Sequence, residues 1–255
     1  MMLNVLAGLL IGFLLGLTGI GGGALMTPFL LLVVHLPPAT AIGTDLAFAL
    51  VTKSVSAVQH RRQKTIWLRP AFFISLGSVP TSLAAAWVVG AHAHHPWMTR
   101  LLPGLIGVAL VAIALVVMAR ALHWLDSPPS HDTERWPAWW QNVLLGVVMG
   151  LLVGVTSIGS GTIFVGTMLL LFALPPAHLV GLNVLVGALL AFFPALTYAW
   201  HGLVAWPLLG TLLLGALPGA VLGGALVTRV PTDRVRLLLS VLIFFAGIRL
   251  VVGVV

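Results

Sequence analysis

Residues 16–29 read GLTGIGGGALMTPF, and five of the fourteen are glycine. They sit in an apolar run that begins at Met1 and meets no charge before Asp45. Glycine is roughly 1 kcal/mol worse than alanine inside a helix, so the cluster predicts a break in the middle of the first apolar segment. The chain around it is built for lipid. Its 255 residues are 60% hydrophobic and 7% charged, whereas a soluble domain carries roughly 25% charged residues. No Lys or Arg precedes Lys53, so the first segment lacks the basic start of a secretory signal and is expected to be retained. The absence of cysteine excludes disulfides, thiolate metal sites and thiol redox chemistry. The net charge of +7 falls mostly in short loops between apolar runs. That is the pattern of topogenic signals, and no nucleic-acid partner is expected.

A spanning helix needs about 20 apolar residues. Runs of that order lie near residues 3–36, 38–60, 66–90, 97–121, 139–174, 176–200, 203–228 and 235–255. All nine Trp lie close to a proposed segment end, where amphipathic indoles favour the headgroup level. Two runs have an odd length. Residues 3–36 and 139–174, about 35 residues each, would make single helices of roughly 50 Å against a hydrocarbon core of about 30 Å. Each is interrupted near its centre, by GLTGIGGG at 16–23 and GVTSIGSG at 154–161. Too long to cross once and too short to cross twice, each is expected to fold as a re-entrant hairpin of two half-helices.

The two interruptions are copies. At a constant offset of 138, residues 16–87 align without a gap to 154–225, with 16 identities in 72 positions. Gly16, Thr18, Ile20, Gly21 and Gly23 recur as Gly154, Thr156, Ile158, Gly159 and Gly161, and Pro80 recurs as Pro218. If both long stretches are re-entrant, each half makes three crossings and the halves are inverted. Loops 60–69, 120–138 and 229–236 then share one side and hold nine Lys/Arg, against Arg100 alone on the other. If both stretches span, the halves are parallel and the division is six to four. The positive-inside rule selects the first arrangement. The expected fold is an all-α integral membrane protein of two inverted repeats, residues 1–121 and 139–255, each a broken or re-entrant hairpin plus three transmembrane helices. Residues 122–138 form a cytoplasmic linker, and both termini lie outside the inner (plasma) membrane.

Inverted repeats with interrupted helices are the layout of secondary transporters. Backbone that leaves the helix in hydrocarbon must find partners in protein or in a water-filled cavity. Half-helices starting near Ala24 and Thr162 would aim free N–H groups and positive dipole ends at the middle of the protein, which suits an anion. Gly21, Gly22, Gly23, Gly159 and Gly161 let a ligand approach the backbone, while Thr18, Thr156, Ser157, Ser160 and Thr162 add hydroxyls. The competing reading is that the glycines serve close helix packing, as Gly12, earlier in the segment, is expected to do.

The GxTGIGGG interruption, the PPA-x-A-x-GT-x-L run at 37–46, His60 with Arg61 and Arg62, and the second-half PPxxxxGLN together resemble the sulfite exporter TauE/SafE family, also called the toluenesulfonate uptake permease family. The resemblance covers essentially the whole chain. It implies an inner-membrane carrier of a sulfur-containing anion such as sulfite, sulfoacetate, thiosulfate or another organosulfonate. The second motif here reads TSIGSG, poorer in glycine than its partner, so the two halves need not contribute equally.

Asp45, Lys53 and Arg249 are the ionisable residues inside proposed spans, and such residues are functional candidates by default. Asp45 and Lys53 are eight apart and share a helix face, and Asn183 is the repeat mate of Asp45. A carboxylate beside an anion site has to be protonated or paired, so Asp45 is a candidate carrier of a coupling proton; a structural pair with Arg249 or a backbone donor is the alternative. Lys53 is a candidate to neutralise the substrate, with Asn183 as a further polar contact, or else it snorkels toward the cytoplasmic end. Arg249, near the C-terminus, is expected to snorkel outward. His92, His94 and His95 fall in an outside loop without a Cys or carboxylate beside them, and no metal site is expected. No Ser/His/Asp arrangement, HExxH or Walker-type motif occurs, and Ser160 has no base to activate it, so neither an enzyme nor ATP-driven transport is expected, and no cofactor. The expected partners are a small anionic substrate and membrane lipid, and a homodimer stays open. Two function classes remain: a secondary carrier coupled to a proton or ion gradient, and a passive anion channel of the same architecture.

Overall fold

The computed structural model describes residues 1–18, 23–62, 68–122, 138–159, 161, 164, 168, 176–226 and 232–253. Among them the chain is all helix, with nine helices and no strand: α1 Met2–Thr18, α2 Gly23–Leu32, α3 Pro38–Arg62, α4 Leu68–Ala91, α5 Pro96–Ala121, α6 Trp139–Thr156, α7 Pro176–Trp200, α8 Trp206–Leu226 and α9 Thr232–Val252. In the first apolar segment α1 ends at Thr18 and α2 opens at Gly23, and Gly19, Gly21 and Gly22 lie outside the described residues. The second breaks at the matching place, since α6 ends at Thr156. Helices α3, α5 and α7 each open on a proline, whose fixed φ suits a first helical turn.

Among the described residues six helices are long and apolar enough to cross a membrane: α4, α5, α6, α8, Gly181–Trp200 of α7 and Val235–Val252 of α9. The chain is a multi-pass membrane protein. The apolar run at 38–60 also predicts a span. Helix α3 has the length, at 25 residues, but Asp45, Lys53 and the basic residues at its end make it too polar to qualify by composition. Its residues 41–49 are all buried, so the surrounding helices keep its polar groups away from lipid. Trp87, Trp97, Trp139, Trp140, Trp200 and Trp206 are exposed near the helix ends, as their sequence positions implied.

The helices pair as α1 with α8, α4 with α6, α3 with α7 and α5 with α9, and α4 also packs on α7. Glycine contacts fix the directions. A Cβ built on Gly8 would meet the Leu212 Cα at 3.0 Å, on Gly12 the Ala216 Cα at 2.6 Å, and on Gly16 the Ala220 carbonyl carbon at 3.0 Å. Residue numbers rise together, so α1 and α8 run the same way. Shifting these contacts by 138 reproduces the second pair. Gly146 meets Ile74 with Ser78, Gly150 meets Ser78, and Gly154 meets Ser82, so α4 and α6 also run the same way. The other two pairs join repeat mates and run oppositely. Gly43 meets Tyr198 while Gly187 meets Lys53, and Gly107 meets Val251 while Gly247 meets Leu110. Backbone-on-backbone approach of this kind is how membrane helices gain dispersion contact without a hydrophobic driving force.

Candidate functional site

The start of α2 meets the end of α6. A Cβ on Gly23, the first residue of α2, would strike the Ser157 carbonyl oxygen and lie 3.3 Å from Asp45 Oδ2. Thr27, one turn into α2, donates to Asp45 Oδ2 at 2.5 Å. Ser157, just beyond α6, donates to the same oxygen at 2.8 Å. Asp45 is 0% exposed, and its Oδ1 has no hydrogen-bond partner among the described residues. Three elements from both halves of the chain thus converge on one buried carboxyl group.

The break after α6 is built by side chains that take over what the helix drops. Ser157 adopts a left-handed conformation at φ 60°, and Gly159 follows at φ 119°, a value that favours glycine. The Ile158 N–H, which a continuing helix would give to the Gly154 carbonyl, goes to Thr156 Oγ1 at 3.1 Å. The Gly154 carbonyl accepts instead from the Tyr198 hydroxyl at 2.9 Å. The Thr156 hydroxyl proton goes to the Leu152 carbonyl at 2.6 Å, so Thr156 acts on the helix end. Away from water each freed backbone group needs such a partner.

Of the residues singled out in the sequence, Asp45, Gly23, Thr156, Ser157 and Gly159 lie at this junction, and Gly161 is buried beyond it. Gly21, Gly22, Ser160 and Thr162 fall outside the described residues, and Thr18 is placed only as the last residue of α1. Lys53 and Asn183 belong to a second group. Lys53 packs over Gly187 of α7, whose Cβ would come within 2.9 Å of the Lys53 Cδ. Its 9% exposure shows a side chain held inside rather than snorkelling. Asn183, one turn before Gly187, is buried, and its Oδ1 has no partner among the described residues. Along α3, Lys53 lies two turns from Asp45, roughly 12 Å at 1.5 Å per residue; along α7, Asn183 is displaced to the far side of Lys53. Asp45 and its repeat mate therefore sit on opposite sides of the α3–α7 crossing.

Arg249 is exposed, and the hydrogen bonds that hold Asp45 come from Thr27 and Ser157. His92, His94 and His95 are exposed at the end of α4 and the turn after it, with the His92 ring nitrogen 2.9 Å from the Val88 carbonyl. Among the described residues no three His, Cys, Asp or Glu gather as a metal would need. An open apolar groove of about 700 Å³ runs between α4 and α7, lined by Pro80, Trp87, Leu196 and Trp200, and includes none of the candidate residues.

Two residues escaped the sequence reading. Thr27 lies within the opening stretch, one turn past the glycines, and Tyr198 is the single tyrosine of the chain. A tyrosine in an apolar helix signals a hydroxyl that must find a partner, but the identity of that partner depends on which helix lies alongside.

The family described as Sulfite exporter TauE/SafE matches residues 4–250. A Bacillus subtilis (strain 168) protein named "Probable membrane transporter protein YjnA" is 32% identical over 97% of this chain and 98% of its own length. A second from that organism, "Probable membrane transporter protein YunE", is 24% identical over 97% and 96%. "Probable membrane transporter protein MJ0441" of Methanocaldococcus jannaschii is 25% identical over 96% and 93%. No solved structure matches the chain. The broken, glycine-rich first segment, its copy 138 residues later and the match over nearly the whole length lead to one conclusion: the chain belongs to the sulfite exporter TauE/SafE family of membrane transporters.

Proposed function

We propose that this protein is a secondary carrier of small sulfur-containing anions, sulfite or an organosulfonate such as sulfoacetate, working at the inner membrane and coupled to a proton or ion gradient. The observation that carries the reading is the meeting of the two glycine breaks, Gly23 against Ser157, deep inside a protein of this family. Backbone that departs from the helix at such a depth belongs where it lines a ligand path. The N-terminus of α2 supplies free N–H groups, Lys53 supplies buried positive charge, and Asn183 supplies an amide near it. Inverted repeats fit the packing: mates α3 and α7, and α5 and α9, run oppositely, and the α1–α8 contacts map onto α6–α4. Helix α2, at ten residues, is roughly 15 Å long, half a hydrocarbon core, which suits a re-entrant turn.

The substrate reading is tested by a thermal-shift screen of purified protein with sulfite, sulfoacetate, thiosulfate, taurine, sulfate and phosphate. A ligand present at a hundred times its Kd stabilises by about 2.7 kcal/mol, so one or more of the sulfur anions should raise the unfolding temperature while phosphate does not. No shift with any of them removes this substrate class. Accumulation of the anion against its gradient separates a carrier from a channel.

Topology has its own expected outcome. Gln63→Cys, Ser130→Cys and Thr232→Cys should resist an impermeant thiol reagent on intact cells, and Gly202→Cys should react. Labelling of Thr232→Cys from outside would mean parallel halves.

A further inference from the structure

We propose that Asp45 is the seat of a transported proton, held on its Oδ1, and that a single proton accompanies each anion because the second half carries Asn183 in the equivalent place. The inference rests on the carrier reading above and adds to it which atom is protonated, the coupling ratio and the direction of coupling.

The two carboxyl oxygens of Asp45 are not alike. Oδ2 accepts from both Thr27 and Ser157, hydroxyls whose protons serve it whether the group is charged or neutral. Oδ1 is buried and has no hydrogen-bond partner among the described residues. An ionised oxygen without a partner at this depth costs free energy that a neutral acid avoids. An O–H bond formed on Oδ1 by a proton arriving from water removes the charge and leaves both hydroxyl hydrogen bonds in place.

The surrounding charges leave this role to Asp45. Helices α2, α6 and α8 carry no ionisable side chain within their bounds. On α3 itself Lys53 is within electrostatic reach of Asp45, and His60, Arg61 and Arg62 are at the far end of that helix. On α7 the Tyr198 hydroxyl is engaged with Gly154, and His178 lies in the first turn, at the end opposite Tyr198. On α5, Arg100 and Arg120 stand near the two ends, and on α9 so do Asp233, Arg234, Arg236 and Arg249. Asp45 and Lys53 are the buried charged residues among those described.

Asp45 therefore stands beside the α2 N-terminus, held there by the Thr27 hydroxyl one turn into the helix. A carboxylate and a substrate anion repel each other in this low-dielectric place, so the anion enters with the proton and leaves with it. The two travel in the same direction. Asn183 gives the second half an amide that holds no transferable proton, which sets the ratio at one.

The test uses purified protein in liposomes, with sulfite, sulfoacetate and thiosulfate as the probes and a trapped pH dye. In the wild type an inward anion gradient should acidify the lumen, one proton per anion. In Asp45→Asn the number of protons moved per anion should fall to zero at whatever rate of anion exchange remains, so each turnover should carry one more net negative charge. Proton flux surviving in Asp45→Asn, or wild-type flux driven by a sodium gradient and indifferent to pH, overturns the proposal and leaves the carrier reading standing. Absence of flux for all three probes defeats the carrier reading instead. In that event infrared spectra of the wild type in lipid still decide the protonation. A buried carboxylic-acid band, missing from Asp45→Asn, is the expected result, and no such band at any pH overturns the assignment.

Discussion

Gly12→Ala is expected to destabilise the protein by about 1–3 kcal/mol, the cost of forcing a methyl group into a closed contact. The new Cβ would come within 2.6 Å of the Ala216 Cα and 2.8 Å of its carbonyl carbon. Those are backbone atoms in the middle of α8, and they cannot rotate aside as a side chain would, so α1 has to move off α8. The repeat mate should behave alike: a Cβ on Gly150 meets the Ser78 Cα at 2.9 Å. Gly210→Ala, in α8 itself, is the control. Nothing lies within 4 Å of its Cβ, so it should gain the roughly 0.5–1 kcal/mol that alanine brings to a helix interior. Thermal unfolding in detergent reads all three. Equal stability of Gly12→Ala and Gly210→Ala would mean that the helices are not held at this spacing.

Gly23→Ala is expected to separate the two breaks. Its methyl group would strike the carbonyl of Ser157, whose own N–H is fixed to the Val153 carbonyl at 2.8 Å and whose φ is already positive. The Ser157 backbone cannot yield without losing that geometry, so the Ser157 bond to Asp45 lengthens. Affinity for the best anion from the screen should fall by about 0.5–1.5 kcal/mol, the scale of a hydrogen bond to the neutral acid that accompanies the anion, up to roughly tenfold in Kd. Calorimetry on protein that still purifies as a folded monodisperse species makes the measurement. Unchanged affinity in folded Gly23→Ala would assign the contact to packing alone.

Much of this was legible in the chain. The length of residues 3–36 and the glycines at 16–23 predict a break, and the described helices on either side are α1, ending at Thr18, and α2, opening at Gly23. The 138-residue offset anticipates contacts as specific as Gly8 on Leu212 and Gly146 on Ile74, because copies of one sequence bury the same small faces. Asp45 stood out because a charge inside a span must be accounted for. Its partner did not. Ser157 is 112 residues away, and no periodicity within α3 or α6 encodes which helix end reaches which side chain. The same holds for Tyr198 and the Gly154 carbonyl, 44 residues apart. The separation of Lys53 and Asn183 from the glycine breaks follows from the antiparallel register of α3 and α7, which only the assembled structure fixes.

The exchange of partners between the halves has a consequence for biogenesis. Helix α1 packs on α8, nearly the last helix to be synthesised, while α4 waits for α6. The flat glycine face of α1 therefore enters the membrane with no docking partner and has to be held by lipid or by the insertion machinery while most of the chain is translated. A ribosome that stalls in the linker releases a fragment whose first helix has nothing to dock against, so quality control has to act on the whole chain, not on either half alone.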